Sequence, residues 1–89
     1  MLETQIEIIN KLGLHARASA KLVSTAARFG SKIDIEFGSQ VADAKSIMSV
    51  MMLAASVGST VTIKTDGDDE EEAMAAVTNL INNYFDEQE

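Results

Sequence analysis

Residues 2–9 alternate between apolar and polar positions. Leu2, Thr4, Ile6 and Ile8 fall on one face, and Glu3, Gln5 and Glu7 on the other. That is the period of a strand with one wet side. The pattern changes after a loop around Gly13. Ala16, Ala20, Val23 and Ala27 recur at helical spacing, and Leu22 and Ala26 widen the stripe. Gly30 is the expected left-handed residue just past this helix. Lys32 to Phe37 alternates again, with Ile33, Ile35 and Phe37 inward, and Gly38-Ser39 has the form of a two-residue hairpin turn. A short return strand, Gln40 to Ala42, and a short helix from about Ser46 to Ala54 follow. Val50, Leu53 and Ala54 supply that helix's buried stripe. Gly58 breaks the chain, and Thr60 to Thr65 forms a strand with Val61 and Ile63 inward. The last helix is predicted to start with Asp68 as N-cap and Glu71 as its capping-box partner. Its buried stripe is Ala73, Val77, Leu80, Ile81 and Tyr84, and the chain is expected to fray from Asp86 through Glu89.

The element order is βαββαβα. Each strand of useful length alternates, so each has one solvated face. This predicts an α+β fold: an open-faced two-layer sandwich with a four-stranded, mainly antiparallel sheet and three helices on one face. Eighty-nine residues make one small domain, 1–89. Repeats, linkers and low-complexity stretches are absent from the sequence.

Composition narrows the function classes. The chain has no cysteine and a single histidine, which argues against disulfide chemistry and a transition-metal site, and no cofactor is expected. There is no signal peptide and no apolar run long enough to span a membrane, which fits a cytoplasmic protein. A net charge of −7 argues against nucleic acid as a partner. The charge is also segregated. From Lys11 to Lys32 there are five basic residues and no acidic one, and from Asp66 to Glu89 nine acidic residues and no basic one. A positive end on an acidic protein steers anionic groups or acidic partner surfaces towards it.

The lone histidine, His15, sits in that basic stretch, where the strand pattern stops and the helix pattern starts. The first N–H groups of a helix have no partner inside it and favour an anion. Ser, Thr, Asp or Asn usually satisfies them from the cap position, but here that position falls to His15 or Leu14. Arg17 adds a fixed charge with a planar fork suited to phosphate. Neutral imidazole is a nucleophile and can take up and return a phosphoryl group. Such transfer needs positioning and charge stabilisation, which Arg17 and the backbone N–H groups of Ala16 and Arg17 supply. No carboxylate lies near His15 in the sequence to form a catalytic pair, which counts against a standalone catalyst.

The run Gly13-Leu14-His15-Ala16-Arg17-Ala18-Ser19 closely resembles the active-site segment of the HPr family, the histidine-containing phosphocarriers of the bacterial phosphotransferase system. The family pattern is Gly-Leu-His-Ala/Thr-Arg-Pro-Ala, so this chain departs at its last two places. Ala18 stands where proline is usual. Alanine permits the same helical geometry with a less restrained unfolded chain. Length, the Ser46 segment and the acidic final helix also match, and the Phe85-Asp86-Glu87 tail looks like the proteobacterial branch, including its nitrogen-related version, NPr.

The resemblance implies that His15 accepts a phosphoryl group on Nδ1 from enzyme I and passes it to a IIA protein. An NPr-like regulatory docking module, in which the phosphoryl group is a signal, is the alternative. In the family, the first two helices form the docking surface. The resemblance carries that role to Ile47, Met48 and Met51, together with Ala20. The segment from Asp43 to Ala55 does hold more apolar residues than one stripe can bury, and exposed methionine suits several partners. Ser46 reads as the cap of the second helix. The resemblance also makes it a regulatory phosphorylation site for an HPr serine kinase/phosphorylase. A phosphate there adds a charge of about −2 beside the docking patch. The protein is expected to work as a monomer.

Overall fold

The computed structural model describes residues 1–87. Its elements are β1 (Leu2–Glu7), α1 (Ala16–Ala26), β2 (Lys32–Phe37), β3 (Gln40–Asp43), α2 (Ile47–Met52), β4 (Thr60–Asp66) and α3 (Glu70–Asn82), followed by a short 3₁₀ turn, Tyr84–Asp86. The four strands form one sheet in the order β1-β4-β2-β3. Every neighbouring pair is antiparallel. The expected sandwich is therefore present, and the two central strands, β4 and β2, carry its deepest residues.

Register follows from the alternation. Ile35 lies opposite Ile63 on one side and Ala42 on the other, and Val61 lies opposite Ile6. Ile33, Ile35, Val61 and Ile63 are all fully buried beneath the helices. Burying an aliphatic side chain of this size stabilises by roughly 1.5–3 kcal/mol. The opposite face is polar. There Lys64 Nζ sits 2.7 Å from Glu36 and 3.8 Å from Glu3. The hairpin turn forms at Gly38-Ser39, with Gly38 at φ 62° and Phe37 paired with Gln40. Thr4 shares the inward face of β1 but is exposed. β1 is an edge strand, and only its ends, Leu2 and Ile6, pack against the core.

Several features differ from the sequence pattern. The buried face of α1 is Ala18, Ser19, Leu22 and Ala26, whereas Ala16, Ala20 and Ala27 are exposed. Alanine is too small to define a face, and the large residue Leu22 sets the rotation. Gly30 is not a left-handed cap. The helix ends with Ala27 as its C-cap, and Gly30 instead donates its N–H to Asp69 Oδ2 at 3.0 Å. Ala54 is exposed at φ 52°, which ends α2 and turns Ala55 inward.

Asp69, not Asp68, caps α3, and its side chain makes no capping bond. Its carboxylate accepts from Gly30 N, from Ser31 N at 2.9 Å and from the Ser31 hydroxyl. It therefore ties the loop after α1 to the start of α3. The expected capping box of Asp68 and Glu71 is absent among the described residues; Gly67 and Glu70 bond each other instead, Glu70 N donating to Gly67 O at 3.3 Å and Gly67 N to Glu70 Oε1 at 3.2 Å. At the far end, Phe85 takes the buried place expected of Tyr84. Phe85 is fully buried and Tyr84 is 39% exposed. The helix stops at Asn82, and Tyr84, Phe85 and Asp86 adopt φ values of 57°, 54° and 62°. This left-handed turn swings Phe85 into the core.

The Asp69 clamp generates a pH prediction. The hydrogen bond from the Ser31 hydroxyl and those from the Gly30 and Ser31 backbone hold its carboxyl below the usual 3.8, against a smaller opposing effect of burial. A carboxyl acidified by folding contributes stability above its unfolded pKa, which is lost as pH falls through the folded value. Urea titrations should show wild-type stability declining below about pH 4. Asp69→Asn should be less stable at neutral pH and should show a shallower decline on acidification.

Candidate functional site

The site begins with a backbone constraint. Gly13 is at φ 66°, and a Cβ there would meet Ala55 O at 2.5 Å and Ser56 Cα at 2.8 Å. Only glycine fits this approach. The contact is fixed by Leu14 N donating to Ala55 O at 2.9 Å, while Ile8 bonds both Gly58 and Ser59 at 2.8 Å. Asn10 closes the turn: its backbone carbonyl accepts from Gly13 N at 3.1 Å, and its Nδ2 donates to Gly13 O at 2.8 Å. The chain thus enters α1 at a fixed point.

His15 occupies the N-cap of α1 with extended backbone, φ −76° and ψ 179°, and its side chain makes no capping hydrogen bond. The first intrahelical bond runs from Ser19 N to His15 O at 2.9 Å. Among the described residues, no protein group accepts from the N–H groups of Ala16, Arg17 or Ala18. Arg17 is exposed and pairs with no carboxylate among them. These groups leave free donors and a positive side chain at the start of an 11-residue helix, an arrangement that favours an anion.

The ring is partly exposed, at 25% of the side chain, and it is held. His15 Nε2 lies 3.1 Å from Glu87 Oε1. This overturns the reading that no carboxylate pairs with the histidine. The pairing is 72 residues apart in sequence, and the tail described above makes it. Phe85 anchors that tail, and Lys21 Nζ donates to Phe85 O at 2.7 Å. Glu87 does not fray. Its carboxyl is held below the ordinary range by the hydrogen bond to His15, with further help from the charges of His15 and Lys21 and from Asn10. Burial opposes this. The predicted fraying at Gln88 and Glu89 lies outside the described residues.

Asn10 is fully buried, and its Nδ2 also reaches Glu87 Oε1 at 3.5 Å. Its Oδ1 has no partner among the described residues. Sequence reasoning missed both Asn10 and Glu87. The one available signal was the segregated charge, an acidic tail that complements a basic segment containing the histidine.

Ser46 is the N-cap of α2, its Oγ accepting from Ser49 N at 3.4 Å. Ile47, Met48, Met51 and Met52 are 39%, 65%, 37% and 73% exposed, and Ala20 is exposed on α1. These residues make an apolar surface on the helical layer, and Met52 lies on it, outside the core. Among the described residues no group of three or more His, Cys, Asp or Glu could hold a metal ion. No helix among them is long and apolar enough to cross a membrane.

A histidine held at the open mouth of a helix, on a small open-faced sandwich, is the architecture of a phosphocarrier. A family model described as "PTS HPr component phosphorylation site" matches residues 2–83. A phosphocarrier protein HPr from Cupriavidus necator is 58% identical over the whole length of both chains. A phosphocarrier protein NPr from Shewanella violacea is 42% identical, covering 97% of this chain and 94% of its own. The crystal structure of an HPr from Thermoanaerobacter tengcongensis superposes with a TM-score of 0.96 at 47% identity, covering all of both chains. The chain belongs to the HPr family and is a phosphocarrier of the phosphotransferase system. The tail that supplies Glu87 lies beyond the residues the family model matches.

The uncapped helix start yields a test of Ala18. It is the third helical residue, and its N–H has no intrahelical partner, so proline there removes no helical bond. Ala18→Pro should keep the fold and raise unfolding free energy by about 0.4–1 kcal/mol, as read by urea denaturation.

Proposed function

We propose that His15 is the residue that carries the phosphoryl group, on Nδ1, with enzyme I as donor and a IIA protein as acceptor. The single observation behind this is the placement of the imidazole at the uncapped N-terminus of α1, with Nε2 engaged by Glu87 and Nδ1 left over. In the transfer, the Nδ1 lone pair attacks the phosphorus of a phosphorylated imidazole on the donor. The donor's N–P bond breaks and its electron pair returns to the donor nitrogen. The reverse sequence delivers the group to the acceptor. The N–H groups of Ala16 and Arg17, with the Arg17 guanidinium, stabilise the charge on the transferring oxygens.

Ile47, Met48, Met51 and Ala20 form the docking face for both partners, close enough in the fold to Ser46 for a phosphate there to disturb it. We read the protein as a cytoplasmic monomer whose complexes are transient. Greater identity to HPr than to NPr favours the transport relay over the purely regulatory module.

Incubation with phosphoenolpyruvate and enzyme I should give an acid-labile phosphate that maps to His15. His15→Ala should take up none, and Arg17→Ala should be phosphorylated at least about tenfold more slowly with little change in stability, as expected for loss of a charge-assisted contact in the transition state. Equal labelling of His15→Ala would remove the assignment. In the same assay, Ser46→Asp should lower the rate with enzyme I, and an unchanged rate would leave Ser46 as a helix cap alone.

A further inference from the structure

We infer that Glu87 is a positioning residue for the phosphoryl relay: its carboxylate holds the His15 ring by Nε2, leaves Nδ1 as the nucleophilic nitrogen, and offsets the positive charge the ring acquires on phosphorylation. The inference rests on the assignment of the relay to His15.

A carboxylate has acceptors only, so the ring nitrogen that bonds it carries the proton. With Oε1 at 3.1 Å from Nε2, the neutral ring is the Nε2–H tautomer, and the lone pair is on Nδ1. The tail is built to hold this contact. The Glu87 side chain is only 15% exposed, although Asp86 before it is exposed. Phe85 is sealed in the core, Lys21 fixes the Phe85 carbonyl, and buried Asn10 reaches the same carboxylate oxygen.

The charge balance follows. A neutral Nε2–H ring that forms an N–P bond through Nδ1 becomes a cation, because it gains a substituent and loses no proton. Glu87 faces that cation across the existing hydrogen bond, so no proton has to move in either direction of transfer. The carboxylate also lies on the Nε2 edge of the ring, away from the nitrogen that receives the anionic group. The contact comes from a tail that lies beyond the residues the family model matches.

The test uses the full chain with ¹⁵N-labelled histidine. Long-range ¹H–¹⁵N spectra are recorded in mildly alkaline buffer, where an imidazole is neutral. Phosphorylation by enzyme I and labelled phosphoenolpyruvate is timed on the same samples, and amide spectra verify the fold. Wild type should show the Nε2–H pattern. Glu87→Ala should show a mixture of tautomers and transfer about tenfold more slowly, the size of one lost charge-assisted hydrogen bond. Glu87→Gln, which keeps a neutral acceptor, should recover the ring pattern but not the rate. An unchanged ring pattern in Glu87→Ala, or full-rate transfer in Glu87→Gln, overturns the inference while label on His15 leaves the relay itself standing. Label absent from His15 in wild type removes the relay assignment, and this inference with it.

Discussion

The backbone of Gly13 lies against the carbonyl of Ala55 with no room for a side chain between them. That contact joins the loop before α1 to the loop after α2, and the rest of the site is arranged from it. Leu14 bonds the same carbonyl, His15 follows in extended conformation, and the helix begins one residue later. With the cap position taken by a histidine whose side chain makes no capping bond, the first amides of the helix stay free among the described residues. The chemistry of the site therefore comes from what the fold leaves unpaired. A serine or aspartate at residue 15 would satisfy those amides and close the site.

The charge segregation seen along the chain has a spatial meaning that sequence order concealed. The acidic C-terminal segment does not simply stand apart from the basic one. Its end folds back onto α1, where Lys21 bonds the Phe85 carbonyl and His15 bonds Glu87. The helical layer thus presents a helix start with unpaired amides, a carboxylate against the histidine ring, and an apolar surface from α2. A carboxylate occupies one nitrogen of the imidazole and leaves the other without one among the described residues. That asymmetry distinguishes two otherwise similar ring nitrogens.

The sheet was the most legible part of the sequence. Ile33, Ile35, Val61 and Ile63 announce their face because large β-branched residues alternate with charged or polar ones. The α1 face was misphased because most of its candidates were alanines, which tolerate either environment. The helical period points to Tyr84 and not Phe85 because it runs on past the place where the backbone changes hand. Asp69 was hidden because its carboxylate is used by Gly30 and Ser31, far away in sequence, and not by its own helix. His15 and Arg17 were legible from local chemistry and from the family segment. Glu87 and Asn10 were not, since a contact across 72 residues leaves no periodic trace.

The three successive left-handed residues that carry Phe85 inward have an energetic consequence. L-residues hold such geometry at a cost, so the attraction of the aromatic ring for the core is partly cancelled by conformational strain in the same few bonds. A straight helical extension would have been docked without that opposition. The C-terminal clasp is therefore poised nearer to balance than its sealed ring suggests. The burial that holds the imidazole's tether is thus weaker than the same aromatic surface would provide on an unstrained backbone.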